Sequence, residues 1–415
     1  MPDPVGMTEN DEKDDHHSSL HFRARSTIII IFAIEGEFAY ICGKLLSIMS
    51  KSIFSDSIVN TGRQRELDFV KGIAIIAMII CHTVLYMAEV PEHIGFVVAD
   101  DVLGGPMAAP MFMICMGACI CFSHRSTPLE IVRRGVGLFL LGYILNISRT
   151  CLPFAIAYAL GMGDFLSENL VFGLMIVDIL QFAGLALVFI GICFKLRLKG
   201  WQMLSIAIIC SACGALLRSF STGNEAVDAI LGLFFGSGPM DEAACNSCFP
   251  FMHWIIFPVF GVLAGQCLGR CTDKEKLYRY VLAITLPITL FYIWFSIKNG
   301  ISPFSRNFYY WPTVIEAFFF ICLDLTLISL AWQLGKILPG WIITPLESLS
   351  KNITTVYFIS WLLICWIGIS LFWVMELEPL NPWLAYIPGV AIVAVSYWIG
   401  QWWNNNCRAT YTGIA

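Results

Sequence analysis

Long hydrophobic runs separated by short polar segments dominate the chain. Ten of them are about 20 residues long, which is the length that a helix needs to cross the hydrocarbon core of a bilayer. The ten runs cover residues 67–88, 104–123, 135–152, 170–194, 201–219, 249–269, 277–297, 313–335, 353–375 and 382–403. The pattern predicts an all-α, polytopic bundle of about ten transmembrane helices. We assign residues 60–403 to this membrane domain and residues 404–415 to a short tail.

The first 50 residues follow the pattern less closely. Residues 1–25 are polar, which is typical of a disordered segment, whereas residues 26–50 are apolar but contain Glu35, Glu37 and Lys44. Charges are costly inside a span. Residues 26–50 therefore form either an eleventh transmembrane helix, which we favour, or a helix that lies in the membrane interface.

Composition narrows the class of protein. Hydrophobic residues make up 58% of the 415 residues and charged residues 13%, against roughly a quarter charged in an average soluble protein. A soluble fold of this size needs more charge to cover its surface. The net charge of −5 provides no basic field for a polyanion, so a nucleic-acid partner is not expected.

The positions of the basic residues predict the topology. Sixteen Lys and Arg residues fall in one alternate set of connecting segments, beginning with the segment before the first span, and only four fall in the other set. Cytoplasmic loops of membrane proteins carry the excess of Lys and Arg. We therefore place both ends of the ten-span domain in the cytoplasm. The four residues counted on the opposite side are Arg149, Arg218, Lys298 and Arg306.

Most of the 16 cysteines lie inside the apolar runs, where a free cysteine behaves as a small hydrophobic residue. Cys245 and Cys248 are the exception, because they form a close pair in a polar loop. A lone Cys-x-x-Cys pair is a weak signal. A disulfide or redox role and a plain loop position both remain open, and no metal site is expected.

Two ionisable residues stand out in the first span. Lys71 and His82 are eleven residues apart, so they lie on one helix face about 16 Å apart along the axis. Ionisable groups within a span are candidates for function. The alternatives are a Lys71 that extends to the lipid headgroups and a His82 that makes an ordinary hydrogen bond between helices.

The segment after this span contains His93 and a break rich in Gly and Pro at 104–110. Irregular backbone at membrane depth is tolerated where it lines a cavity or is buried in protein. We therefore expect a water-filled outer pocket bounded by His82 and His93. A plain loop role for His93 stays open.

Further polar residues begin the third and fourth spans. Arg133 and Arg134 are suited to binding phosphate, although they also fit the ordinary excess of positive charge in the cytoplasm. Asp178 and Gln181 are three residues apart and so face the same way. Such residues predict a polar cavity in the bundle, for catalysis or for transport.

The first span resembles the opening of the integral-membrane acyltransferase family three. That family carries Arg or Lys, ten residues and then His, which Lys71 and His82 match. The surrounding RELDFVKGIAIIAMIICH is similar to the family's opening motif at Arg65, Leu67, Asp68, Lys71, Gly72 and Ala74. A later segment, LESLSKNITTVYFISWLL, resembles the family at Lys351, Asn352 and Tyr357, but Ser360 stands where the family has His.

Other segments resemble heparan-α-glucosaminide N-acetyltransferase-like proteins. These segments are DILQFAGL, FPFMHWIIFPVFGVLAGQ and HIGFVVADDVLGGPMAAPMFMICMG. The last resembles a loop of that family in which a His precedes Ala-Asp. The patches run over about 60–375, and their shared order along the chain makes the resemblance specific.

The resemblance implies an acyltransferase in the membrane. An acyl group, most simply acetyl from cytoplasmic acetyl-CoA, would pass to a hydroxyl or amine of a sugar or cell-envelope glycan on the other side. The partners implied are acyl-CoA, a glycan acceptor and the bilayer; a homodimer is left open. The bacterial plasma membrane is the expected location.

The candidate roles follow from this chemistry. A hydroxyl is a poor nucleophile until a base takes its proton, and His is the usual base near neutral pH. His82 is the first candidate for the base, and His93 the second. Asp68 and Asp178 would orient either the imidazole or the cations that hold the CoA phosphates. Cations would hold the CoA phosphates, namely Lys71, Arg133 and Arg134.

Two other interpretations stay open. A transporter of a carbohydrate or lipid-linked sugar would also have a polar cavity, although such proteins often show matching helix breaks in two halves, and the chain shows only the break at 104–110. A membrane scaffold or sensor without catalysis is the third interpretation, and Ser360 in place of His keeps it open.

Overall fold

The fold confirms the all-α prediction. The structure is a computed structural model that describes residues 53–88, 93–105, 107–161, 173–218, 220–236, 247–300, 302, 304 and 309–408. Within these residues the secondary structure is helical, with no strand. The predicted disordered lead at 1–25 and the predicted helix at 26–50 lie outside the described residues and remain predictions.

The described residues of the first half of the chain form seven helices. They are α1 (Arg65–Met87), α2 (Ile94–Val97), α3 (Ala109–Ile120), α4 (Pro128–Asn146), α5 (Leu152–Ala159), α6 (Ile179–Lys195) and α7 (Gly200–Leu217). A π-helical turn, Val98–Gly104, follows α2, and a second, Ile147–Cys151, joins α4 to α5. The predicted break at 104–110 is thus present, because a regular helix resumes only at Ala109.

Eight further helices complete the described chain. They are α8 (Glu225–Phe235), α9 (Phe251–Trp254), α10 (Ile256–Arg270), α11 (Lys274–Lys298), α12 (Val314–Ile337), α13 (Gly340–Lys351), α14 (Ile353–Gly368) and α15 (Pro382–Trp403). A π-helical turn extends α14 to Val374, and another follows α15. Neither α8 nor α13 was expected from the hydrophobic runs.

Nine helical segments of the described chain are long and apolar enough to cross a membrane. They correspond to nine of the ten predicted runs. The tenth run, 170–194, contains α6, an apolar helix of 17 residues that is shorter than the other nine. The prediction of 135–152 was too short, because α4, its π-helical turn and α5 form one segment, Pro128–Ala159.

Helix α1 lies at the centre of the bundle. It packs against α3, α12, α13, α14 and α15, and most of its residues are buried, including Ile75, Ile79 and Val84. A helix surrounded on all sides presents its polar residues to the interior of the protein. Lys71 and His82 therefore face protein, not lipid.

Helices α4 and α6 pack closely enough to require glycine. A β-carbon added at Gly135 would lie 2.6 Å from the carbonyl oxygen of Gly184, and one added at Gly184 would lie 2.6 Å from the backbone nitrogen of Phe139. Small residues let membrane helices approach in this way. The contact brings the end of α4 close to the start of α6, where the candidate site is built.

Candidate functional site

Two cavities open beside α1, one lined by His82 and the other by Lys71. The first, here the His82 cavity, has a volume of about 220 Å³ and is lined by His82, Tyr86, Arg149, Asp178, Tyr357 and Trp361, among others. The second, here the Lys71 cavity, has a volume of about 340 Å³ and is lined by Lys71, Arg134 and Cys119, with mostly apolar neighbours.

The imidazole of His82 is held by an aromatic neighbour. Its ring centroid lies 4.3 Å from that of Trp361, with the planes inclined by 34°. Its Nδ1 is buried and has no hydrogen-bond partner among the described residues. An imidazole that lines a cavity and has a ring nitrogen without a hydrogen-bond partner is able to exchange a proton with a ligand.

Arg149 and Asp178 form the polar centre of the His82 cavity. Nη1 of Arg149 donates to Oδ2 of Asp178 at 2.8 Å, and Nη2 donates to Oδ1 of Asn146 at 3.1 Å. The hydroxyl of Tyr357 donates to the same Oδ2 at 3.0 Å. The guanidinium also lies over the ring of Trp361, 4.2 Å from its centroid. Both members of the pair are buried, as the side chain of Arg149 is 4% exposed.

Local structure explains how these residues meet. Asp178 is the N-cap of α6, because its Oδ1 accepts from the backbone N–H of Ile179 at 2.7 Å, and Gln181 completes a capping box. Arg149 lies in the π-helical turn after α4, a kind of turn that is frequent at functional sites. Tyr357 and Trp361 are four residues apart on α14, so they share one face.

The Lys71 cavity has a second polar centre at its edge. Nζ of Lys71 lies 3.0 Å from Oδ1 of Asp68 and 3.6 Å from Sγ of Cys119. Asp68 also pairs with Arg63 and accepts from the hydroxyl of Ser350 at 2.6 Å. Asp68 therefore pairs with Lys71 and does not line the His82 cavity, and its expected role stays a prediction.

The two cavities share a wall. Phe112, Ile179 and Tyr357 line both of them. A ligand in one cavity is thus separated from a ligand in the other by the thickness of these side chains. The arrangement brings two chemically different sites together in the interior of the bundle.

The structure separates the other predicted site residues. Arg133 and Arg134 are both exposed, but Arg134 lines the Lys71 cavity and Arg133 lines neither cavity. His93 caps α2, since its Nδ1 accepts from the backbone N–H of Gly95 at 3.0 Å. The expected pocket is therefore present at His82, but His93 is not among the residues that line it.

Arg149 and Trp361 are site residues that the sequence did not indicate. Arg149 was counted among the loop residues opposite the cytoplasm, and this was wrong, because its side chain is buried against Asp178. Its position at the end of an apolar run was the available signal, since a charge there needs a partner. Trp361 gave no signal, because a tryptophan in an apolar run is ordinary.

The cysteine pair and the metal question are only partly described. Cys248 lines the His82 cavity, while Cys245 lies outside the described residues, so their pairing stays open. No group of three or more His, Cys, Asp or Glu side chains suitable for a metal ion occurs in the described part of the chain.

Fold and site together define a multi-pass helical membrane protein with two polar cavities in the interior of its bundle. The model of the family described as heparan-alpha-glucosaminide N-acetyltransferase, catalytic, matches residues 63–293, more than half of the chain. The chain belongs to this family and is an acetyltransferase-type membrane enzyme. The matched region includes Lys71 and His82 of α1, which line the two cavities, and also Arg149 and Asp178.

No curated protein matches the chain. The resemblance to acyltransferase family three has no support from the comparisons and remains a prediction based on the spacing of Lys71 and His82. Trp361 and Tyr357 lie beyond the matched residues, so their place in the site is argued from the geometry alone.

Proposed function

We propose that the protein transfers an acetyl group from cytoplasmic acetyl-CoA to a hydroxyl or amine of a sugar or glycan on the opposite side of the membrane. One observation carries the proposal: a cavity with cationic side chains and a cavity with an imidazole share the wall formed by Phe112, Ile179 and Tyr357. Donor and acceptor then meet at this wall, inside the bundle.

The Lys71 cavity is the proposed donor site. Lys71 and Arg134 both line it, and cations make charge-assisted hydrogen bonds to phosphate oxygens. Its remaining lining is mostly apolar, which suits the arm that carries the thioester. The basic segments that we place in the cytoplasm, including the one before α1, are consistent with a donor that arrives from that side.

The His82 cavity is the proposed acceptor site. His82 takes the proton of the attacking hydroxyl or amine as that group forms its bond to the thioester carbonyl carbon. Transfer of the acetyl group then breaks the carbon–sulfur bond, and the imidazolium returns its proton to the CoA thiolate. Asp178 is not in hydrogen-bond contact with His82 in the described geometry; it holds Arg149 and Tyr357.

His93 remains the second candidate for the base. It lies at the start of α2, and the π-helical turn that follows α2 supplies Asp100, Asp101 and Gly104 to the wall of the His82 cavity. A change in this loop on substrate binding would bring His93 nearer to the acceptor. The two histidines are therefore tested side by side.

Purified full-length protein in detergent tests the proposal. It is incubated with acetyl-CoA labelled in the acetyl group and with either glucosamine, which has an amine, or glucose, which has only hydroxyls. We expect labelled product with at least one acceptor. We expect His82→Ala to lower kcat by about 10²- to 10⁴-fold, as loss of a general base does.

Matched controls sharpen the experiment. His124→Ala changes an exposed loop histidine and should keep full activity. Arg134→Gln should raise KM for acetyl-CoA about tenfold, as loss of a charged hydrogen bond does. Arg133→Gln should have less effect, because Arg133 lines neither cavity.

Three outcomes would contradict the proposal. If the wild type transfers no acetyl group to either acceptor, the donor or acceptor class is wrong. Full activity of His82→Ala with loss in His93→Ala moves the base to His93. Movement of unmodified sugar across proteoliposomes without acetyl transfer would favour the transporter.

A further inference from the structure

The indole N–H of Trp361 is a buried donor at the His82 cavity. The side chain is 5% exposed and lines the cavity. The Tyr357 hydroxyl lies near Nε1, but the N–H makes no hydrogen bond of normal geometry to it or to any other described residue. Tryptophan N–H groups usually find a partner when they are buried, and an exception calls for an explanation.

A second polar atom without a partner lies beside it. Nδ1 of His82 is also buried without a hydrogen bond, and its ring packs against Trp361 with centroids 4.3 Å apart. Indole N–H is only a donor, whereas a neutral imidazole nitrogen can also accept. The cavity thus offers a donor and an acceptor side by side, which are the two groups that acyl transfer requires.

We propose that Trp361 is a catalytic residue whose Nε1–H donates a hydrogen bond to the carbonyl oxygen of the acetyl group in transfer. The proposal rests on the function proposed above and adds a residue that stabilises the developing negative charge. Fixed donors aimed at such an oxygen are among the largest contributions to catalysis of acyl transfer.

The surroundings of Trp361 favour this role. The guanidinium of Arg149 lies 4.2 Å from the ring centroid, and a cation over an indole face draws electron density from the ring. This makes the N–H a stronger donor. Asp178 and Asn146 fix the guanidinium through hydrogen bonds of 2.8 and 3.1 Å, so the cation cannot move freely away from the ring.

The step balances as follows. The acceptor oxygen or nitrogen forms a bond to the carbonyl carbon while its proton passes to His82, and the carbonyl π pair moves onto the oxygen. That oxyanion accepts the hydrogen bond from Trp361. The pair then re-forms the C=O bond, the carbon–sulfur bond breaks, and the CoA thiolate takes the proton from the imidazolium.

Trp361→Phe is the first test, because it keeps an aromatic ring beside His82 and removes the N–H. Removal of one such donor lowers kcat by about 10²- to 10³-fold in acyl-transfer enzymes. We expect a loss of about 10²-fold in kcat, with KM for acetyl-CoA changed by less than about twofold. The donor acts on the transition state and not on ground-state binding, which is why only kcat should fall.

Trp366→Phe is the matched control. Trp366 lies on the same helix, and its Nε1 donates to the backbone carbonyl oxygen of Ser148 at 2.9 Å. Neither Trp366 nor Ser148 lines either cavity. This variant should keep kcat within about twofold of the wild type.

An isostere separates the N–H from the shape of the ring. Incorporation of benzothienylalanine at position 361 replaces the N–H by sulfur with almost no change in size. We expect the isostere to show the same loss in kcat as Trp361→Phe. Because its size is almost unchanged, it tests the N–H even if the smaller phenylalanine ring destabilises the fold. Activity equal to wild type in the isostere would overturn the proposal.

The test separates failure of this inference from failure of the proposed function. If His82→Ala is inactive and the isostere is fully active, the role of Trp361 is overturned and acetyl transfer remains in place. Wild-type protein that transfers no acetyl group to any acceptor overturns both. A rise in KM with kcat unchanged would make Trp361 a binding residue and would also overturn the proposal.

Discussion

The protein contains two polar centres, each with a cation and a carboxylate, and they are built differently. Lys71 and Asp68 lie three residues apart on one helix, and Asp68 has further partners in Arg63 and Ser350. Arg149 and Asp178 come from different helical segments, and their side chains are 4% and 11% exposed. In the first centre Asp68 has a second cation, Arg63, whereas Asp178 pairs with Arg149 alone among the described residues, and that pair depends on the packing of separate helical segments.

The difference matters energetically because a buried charge depends on its partner. Loss of one member of a buried pair leaves an uncompensated charge, which is strongly destabilising. Where the remaining charge keeps a second charged partner, as Asp68 keeps Arg63, the loss should be smaller. The same kind of change should therefore have very different effects at the two centres.

The largest effect is expected for Arg149→Met. This change leaves Asp178 buried without its cation, and we expect a loss of about 3–5 kcal/mol in the free energy of unfolding. Adding Asp178→Asn should recover about half of that loss, since the amide oxygen can still cap α6 and no charge remains. Thermal or denaturant unfolding in detergent measures both variants. A single variant as stable as the wild type would show that the pair is not buried as described.

An intermediate effect is expected at the contact that brings this centre together. Gly135→Ala places a methyl group against the backbone of Gly184, and we expect a loss of about 1–3 kcal/mol, as for overpacking elsewhere. Gly137→Ala is the control, because a β-carbon there meets nothing within 4 Å. Equal stability of the two variants, measured by the same unfolding assay, would contradict the close packing of α4 and α6.

The smallest effect is expected for Lys71→Met. Asp68 is buried but keeps Arg63 and Ser350 as partners, so its charge stays compensated and we expect a loss of about 1 kcal/mol in the free energy of unfolding, as for one hydrogen bond. If Lys71 binds a donor phosphate as proposed, KM for acetyl-CoA should rise about tenfold in the same variant. A variant that loses stability as strongly as Arg149→Met would erase the distinction between the two centres.

The same distinction explains what the sequence could predict. Apolar runs of about 20 residues predicted the spans, because each transmembrane helix must satisfy its backbone hydrogen bonds within its own segment of the chain. The eleven-residue spacing placed Lys71 and His82 on one stripe of α1, and both face cavities. These features depend on local spacing alone.

The other features depend on tertiary packing. Arg149 and Asp178 are 29 residues apart, and Asp178 and Tyr357 are 179 apart; no periodicity connects them. Helix α13 was missed because its sequence, GWIITPLESLSK, is too short and too polar to read as a span. The close approach of α4 and α6 could have been suspected from Gly135, Gly142 and Gly184, but glycine is common in membrane helices.

Tyr357 has a consequence for the order of events in a reaction cycle. Its ring belongs to the wall of both cavities, and its hydroxyl is tied to Asp178. A ligand in one cavity that shifts the side chain of Tyr357 changes the space and the hydrogen bonding in the other cavity. By thermodynamic linkage, the factor by which the first ligand alters the affinity for the second equals the factor in the reverse direction. If the two cavities bind donor and acceptor as proposed, a single phenol makes the two binding equilibria interdependent.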